Sequence, residues 1–138
     1  MCEFKYIVKV KDKKAIEKFE KLIGFKLPVS LSNVLLKNNY GYPVNNSFAK
    51  DSLSFSIKCL LSLNDDDDEN IFDFFEASRE EVDEIGFNFI PFAIDNYGNS
   101  ICFIQDTNFV IYIDDETLEV FNTKMVIEEF FDNLKPED

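Results

Sequence analysis

Between residues 90 and 113 the chain carries three short runs of β-branched and aromatic residues, separated by clusters of Asn, Asp and Gly. The runs are Ile-Pro-Phe-Ala-Ile at 90–94, Ile-Cys-Phe-Ile at 101–104 and Val-Ile-Tyr-Ile at 110–113. Such runs favour extended backbone, because branched and aromatic side chains pack well on a pleated surface. The first break is Asp95-Asn96-Tyr97-Gly98-Asn99. Asp and Asn side chains bond nearby backbone there, and Gly98 can take positive φ without a Cβ clash. The second break, residues 105–108, is short enough for another hairpin. The stretch predicts an antiparallel meander on which everything else must pack.

The rest of the chain supplies the packing elements. Residues 4–10 alternate in part through Phe4, Tyr6, Val8 and Val10, which predicts an edge strand with Lys5, Lys9 and Lys11 outward. Asp12 stands as an N-cap for a helix through Ile23, with Ile16, Phe19, Leu22 and Ile23 on one stripe and Gly24 at its end. Pro28 opens a second helix that buries Leu31, Val34 and Leu35 and ends at Asn38-Asn39. Residues 40–51, with Gly41, Pro43 and several Asn and Ser, read as loop. Leu53, Phe55, Ile57 and Cys59 alternate with polar residues as in a strand. Ile71, Phe74 and Phe75 fall at helical spacing, and a short helix over 80–85 ends at Gly86. After a weak strand at 119–121, Asn122 or Thr123 caps a final helix with Val126, Ile127, Phe130, Phe131 and Leu134 inward, stopped before Pro136. The sum is one α+β domain spanning 1–138, a mostly antiparallel sheet with helices packed on one face.

Composition narrows the chemistry. At 138 residues a single domain buries about two-thirds of its unfolded surface, and sixteen phenylalanines supply much of that core. No histidine is present, so triads, imidazole bases and histidine metal ligands are excluded. The three cysteines form no Cys-x-x-Cys; Cys59 and Cys102 sit in apolar runs and read as small core residues. No apolar run approaches a membrane span and no signal sequence is evident, so a cytoplasmic protein is expected. The net charge of −13 disfavours nucleic acid and anionic membranes, and it would attract and steer a basic protein partner.

The carboxylates are the candidate functional residues. Asp65, Asp66, Asp67, Asp68 and Glu69 form an acidic run ahead of the third helix, read either as a helix N-terminus or as a docking surface for a basic partner. Counting from Asp65, Asp67, Glu69, Asp73 and Glu76 occupy calcium-loop positions, but Asn70 replaces the sixth-position Gly and Ile71, Phe74 and Phe75 demand a helix inside the loop. A metal site is not expected there. Asp95, Asp114, Asp115 and Glu116 lie at turns without a neighbouring cation, and Arg79 is the only arginine, so catalysis and cofactors are not expected either. Tyr40, Tyr42 and Tyr97 in turn segments are candidate interface anchors.

The central motif, Ile90-Pro91-Phe92-Ala93-Ile94-Asp95 followed by Gly98-Asn99 and Ile101-Cys102, resembles that of the SUKH superfamily. Leu27-Pro28 and Asn39-Tyr40-Gly41-Tyr42-Pro43 match in order, although that family usually has Asn-Gly-Gly, one residue, then Pro. The family also often has Asp-His-Glu where Asp115 here replaces the His. The superfamily contains fungal regulators of cell-wall synthesis and bacterial immunity proteins that neutralise toxins. The resemblance implies an α+β, non-catalytic binding domain of the immunity kind, directed at a cognate toxin domain such as a basic nuclease. An interaction scaffold of the cell-wall-regulator kind is the alternative, and a carboxylate- and metal-dependent hydrolase a third.

Overall fold

The computed structural model describes residues 2–137. In chain order the elements are β1 (Phe4–Lys5), α1 (Ala15–Ile23), α2 (Val29–Lys37), β2 (Tyr42–Pro43), β3 (Ser47–Lys50), β4 (Leu53–Ser56), β5 (Cys59–Leu60), α3 (Ile71–Ser78), α4 (Val82–Ile85), β6 (Phe89–Ile94), β7 (Ser100–Ile104), β8 (Phe109–Ile113), β9 (Val120–Val126) and α5 (Ile127–Phe130). Single 3-10 turns follow α3 and α5. The fold is α+β. Its main sheet is antiparallel in the order β5-β6-β7-β8-β9, and β1-β2 and β3-β4 form separate two-stranded pairs.

The expected meander is the centre of this sheet. Ile90 pairs with Phe103 and Ile101 with Tyr112. Alternation along β7 sends Ile101 and Phe103 into the large core while Cys102 and Ile104 join a smaller cluster on the opposite face. In β6 the register shifts between Pro91 and Ala93, which leaves Phe92 as an extra residue. Pro91 lacks an N–H and sits beside this irregularity, past the two residues that β5 pairs. All six residues of β6 are buried.

Helices α1, α2, α3 and α5 contribute Phe19, Leu31, Leu35, Phe75 and Phe130 to the large core. The opposite face is covered in part by Val82 and Ile85 of α4 with Phe87, Leu118 and Val120. The β3-β4 hairpin joins the large core by aromatic stacking: Phe48 on Phe55 at 5.2 Å, and Phe55 on Tyr112 at 4.5 Å and 9°.

Four local expectations are corrected. Residues 40–51 are not all loop: Phe48 pairs with Phe55 in β3-β4, the chain reverses through Asp51 at φ 57°, and β2 pairs with β1. Two adjacent apolar residues in Ser47-Phe48-Ala49-Lys50 give no alternation, so the pairing comes from its partner strand. The edge strand expected over 4–10 is confined to Phe4–Lys5. Tyr6 turns to φ 58°, and Asn39 and Asn64 side chains bond the backbone of Val8, Lys9 and Lys11 where a ladder would have done so. Asp12 accepts from Lys14 N at 2.9 Å ahead of a helix that begins at Ala15, so it shapes the approach and does not cap α1. The last helix begins at Ile127, because β9 runs on to Val126. The buried Thr123 hydroxyl donates to Val110 O at 2.7 Å, and Lys124 takes φ 60° where β9 carries extra residues opposite β8.

Gly41 marks the tightest backbone approach. A Cβ there would lie 2.7 Å from Asn38 O and 3.0 Å from Phe4 Cβ. Its N–H donates to Asn38 O and its carbonyl accepts from Leu60 N, so neither wall moves freely. Gly41→Ala is expected to destabilise the domain by about 1–3 kcal/mol, the range for overpacking, as read by urea denaturation.

Candidate binding surface

The acidic run folds as a loop between β5 and α3, and the structure divides its side chains into two groups. Asp67 turns inward and accepts from the buried Ser62 hydroxyl at 2.6 Å. Glu69 is half-buried; it pairs with Lys58 at 2.9 Å and accepts from Tyr40 OH at 3.2 Å. Asp65, Asp66 and Asp68 stay exposed. Asp66 pairs with Lys11 at 2.5 Å, an exposed contact that salt screens readily. The helix itself is capped by Asn70, whose Oδ1 accepts from Asp73 N at 2.9 Å. This leaves the run outside the helix, as loop charge. Among the described residues no group of three or more carboxylates or thiols is disposed to hold a metal ion. Asp73 and Glu76 lie on α3, where the helix fixes them.

Beside Glu69 lie the tyrosines. Tyr40, at φ 61°, is half-buried, and burial raises its phenol to about 12. Tyr42 is exposed and packs edge-to-face on the exposed Tyr6 at 5.5 Å. Tyr6 was expected in a strand; its left-handed backbone, invisible in the alternation, places it next to Tyr42. Burial and then Glu69 push the Cys59 thiol up to about 12, and burial raises Cys102, so both are inert core thiols.

The second group of candidates meets at one end of the sheet. Asp95 is buried at the end of β6, and its carboxylate accepts from Tyr97 N (2.8 Å), Asn99 N (2.8 Å), Asn99 Nδ2 (2.9 Å) and Tyr112 OH (2.5 Å). Burial and this bond hold the Tyr112 phenol well above its ordinary range. Asn99 Oδ1 accepts from Asp115 N at 2.9 Å and so ties the β6-β7 turn to the β8-β9 turn. Asp114 accepts from the backbone of Glu116 and Thr117 and shapes the second turn. Gly98 takes φ 86° as expected. Asp95 and Asp114 therefore act as scaffold, and Tyr97, Asp115 and Glu116 are displayed. Tyr97 is 88% exposed on a turn whose own Tyr97 and Asn99 groups donate three bonds to Asp95.

Residues 12–133 match the model of the SMI1 / KNR4 family (SUKH-1). The chain is a SUKH-1 family member. Neither the curated proteins nor the solved structures contain a match to it.

In this SUKH-1 domain the acidic residues at this end of the sheet extend beyond the motif to the half-buried Glu81. Glu81 lies close enough to Asp115 that burial first, and then Asp115, Glu80 and Glu84, raise its carboxyl. Arg79 gives that surface little positive charge. It turns inward over the Phe75 ring at 4.2 Å and bonds Phe89 O, Asn88 and Ser78. Sequence spacing gave no sign that α4 would lie beside the β8-β9 turn. Among the described residues no helix is long and apolar enough to cross a membrane.

Proposed function

We propose that this SUKH-1 domain is an immunity protein, which binds a basic toxin domain and neutralises it by occlusion without performing chemistry. The observation that carries the reading is the end of the sheet. Tyr97 stands exposed on a turn locked by Asp95 and shares a recess with Asp115 and Glu116, and Glu81, its carboxyl raised first by burial, lies within electrostatic reach of Asp115. A rigid exposed aromatic is an efficient anchor because little side-chain freedom is lost on binding. Surrounding acids attract a basic partner before contact.

The test takes as toxin any basic toxin domain that proves to be encoded next to this chain. Mixed one to one, the domain is expected to abolish the toxin's activity. Tyr97→Ala should weaken the complex by about thirtyfold, the scale of a 2 kcal/mol anchor. Tyr97 is outside the core, so a thermal melt of the variant should match wild type. A tight complex in which the toxin stays active would instead favour a holding role like that of the cell-wall regulators.

A further inference from the structure

We infer a second docking element: the groove between α1 and the acidic loop, which fits an apolar helix face flanked by lysine or arginine on the toxin proposed above. It rests on that reading for the identity of the partner but not for its chemistry. The groove encloses about 470 Å³. Beneath it lies the seam of α1 and α3: Phe72, which lines the groove, packs edge-to-face on the buried Phe19 at 5.6 Å, and Phe19 meets the buried Phe75 at 5.8 Å. Above that seam the lining is apolar at Ala15, Leu22, Leu63 and Phe72. Leu22 is 42% exposed, although it lies on the stripe that the helical spacing assigns to the core.

Charge selects the occupant. The rim carries Asp12, Asp65, Asp66, Asp73 and Glu76 against Lys11 and Lys18. Lys11 pairs with Asp66 and Lys18 with Asp12 in exposed contacts, so the rim keeps a net excess of carboxylates at Asp65, Asp73 and Glu76. An apolar lining between acidic walls matches an amphipathic helix whose apolar face lies on Leu22 and Phe72 while its basic flanks meet the carboxylates. A second copy of this chain, at net charge −13, would be repelled.

The probe is a synthetic peptide with leucine at helical i, i+3, i+4 and i+7 spacing and lysine elsewhere, titrated into the full chain and followed by two-dimensional amide NMR. Shifts are expected at Ala15, Leu22, Leu63 and Phe72. Leu22→Ser should weaken binding about tenfold, the scale of one or two buried methylenes. A scrambled peptide of equal composition, lacking the apolar face, should bind at least tenfold more weakly. Equal binding by the scrambled peptide, shifts spread over all acidic loops, or an unaffected Leu22→Ser would each overturn the groove. Leu22 is partly exposed, and the variant's own spectrum shows whether it is folded. Peptide binding in the groove without toxin neutralisation would defeat the immunity reading alone. Neutralisation with no groove binding would defeat this inference alone.

Discussion

Phe130→Ala is expected to lower the stability of the domain by about 3–5 kcal/mol, the cost of removing a fully enclosed aromatic ring. Phe130 is 0% exposed and sits where three parts of the fold meet. Its ring lies 5.7 Å from Phe48 on the β3-β4 hairpin, 6.3 Å from Phe92 on β6 and 5.4 Å from Phe131. Domains of this size are stable by only about 5–15 kcal/mol, so the variant should approach the edge of folding. The exposed neighbour Glu129 serves as control: Glu129→Ala should change stability by no more than about 0.5 kcal/mol. Urea denaturation of both variants is the measurement. A Phe130→Ala midpoint equal to wild type would mean that the hairpin and α5 are not held by this aromatic cluster.

Asp95→Ala should cost about 2–4 kcal/mol, because it leaves the Tyr112 hydroxyl and the Asn99 and Tyr97 amides without their acceptor. The same change should weaken partner binding although Asp95 itself is buried, since Tyr97 would lose its fixed backbone. Asp95→Asn keeps one acceptor oxygen and should cost about half as much. If Asp95→Ala binds like wild type, Tyr97 is not prepositioned by this network.

The difference between Asp95 and Glu116 explains what the sequence could disclose. The meander was legible because its apolar runs and turn residues are local signals, and Gly98 follows from the turn alone. The end of α1 at Gly24 and the start of α2 at Pro28 were legible for the same reason. Nothing local separates Asp65 from Asp67. The inward turn of Asp67 depends on Ser62 and Asn64, and that of Glu69 on Lys58 and Tyr40. Strand β9 is a similar case. Val126, Ile127, Phe130 and Phe131 fit a helical spacing that would begin near Asn122, but pairing with β8 holds the backbone extended to Val126. Tertiary pairing outweighs local propensity there.

The most direct test of a charged docking surface is the association rate with the toxin domain at two ionic strengths, read by surface plasmon resonance. Two variants remove displayed acids only: Asp65→Asn with Asp66→Asn and Asp68→Asn, and separately Asp115→Asn with Glu116→Gln. Asp67 and Asp95 are left in place because they hold the fold. At roughly 0.01 M salt, where the screening length is about 30 Å, each variant should associate about tenfold more slowly than wild type. Near 1 M salt, where it is about 3 Å, the rates should converge, with dissociation little changed throughout. Equal association rates for wild type and both variants at low salt would contradict the account.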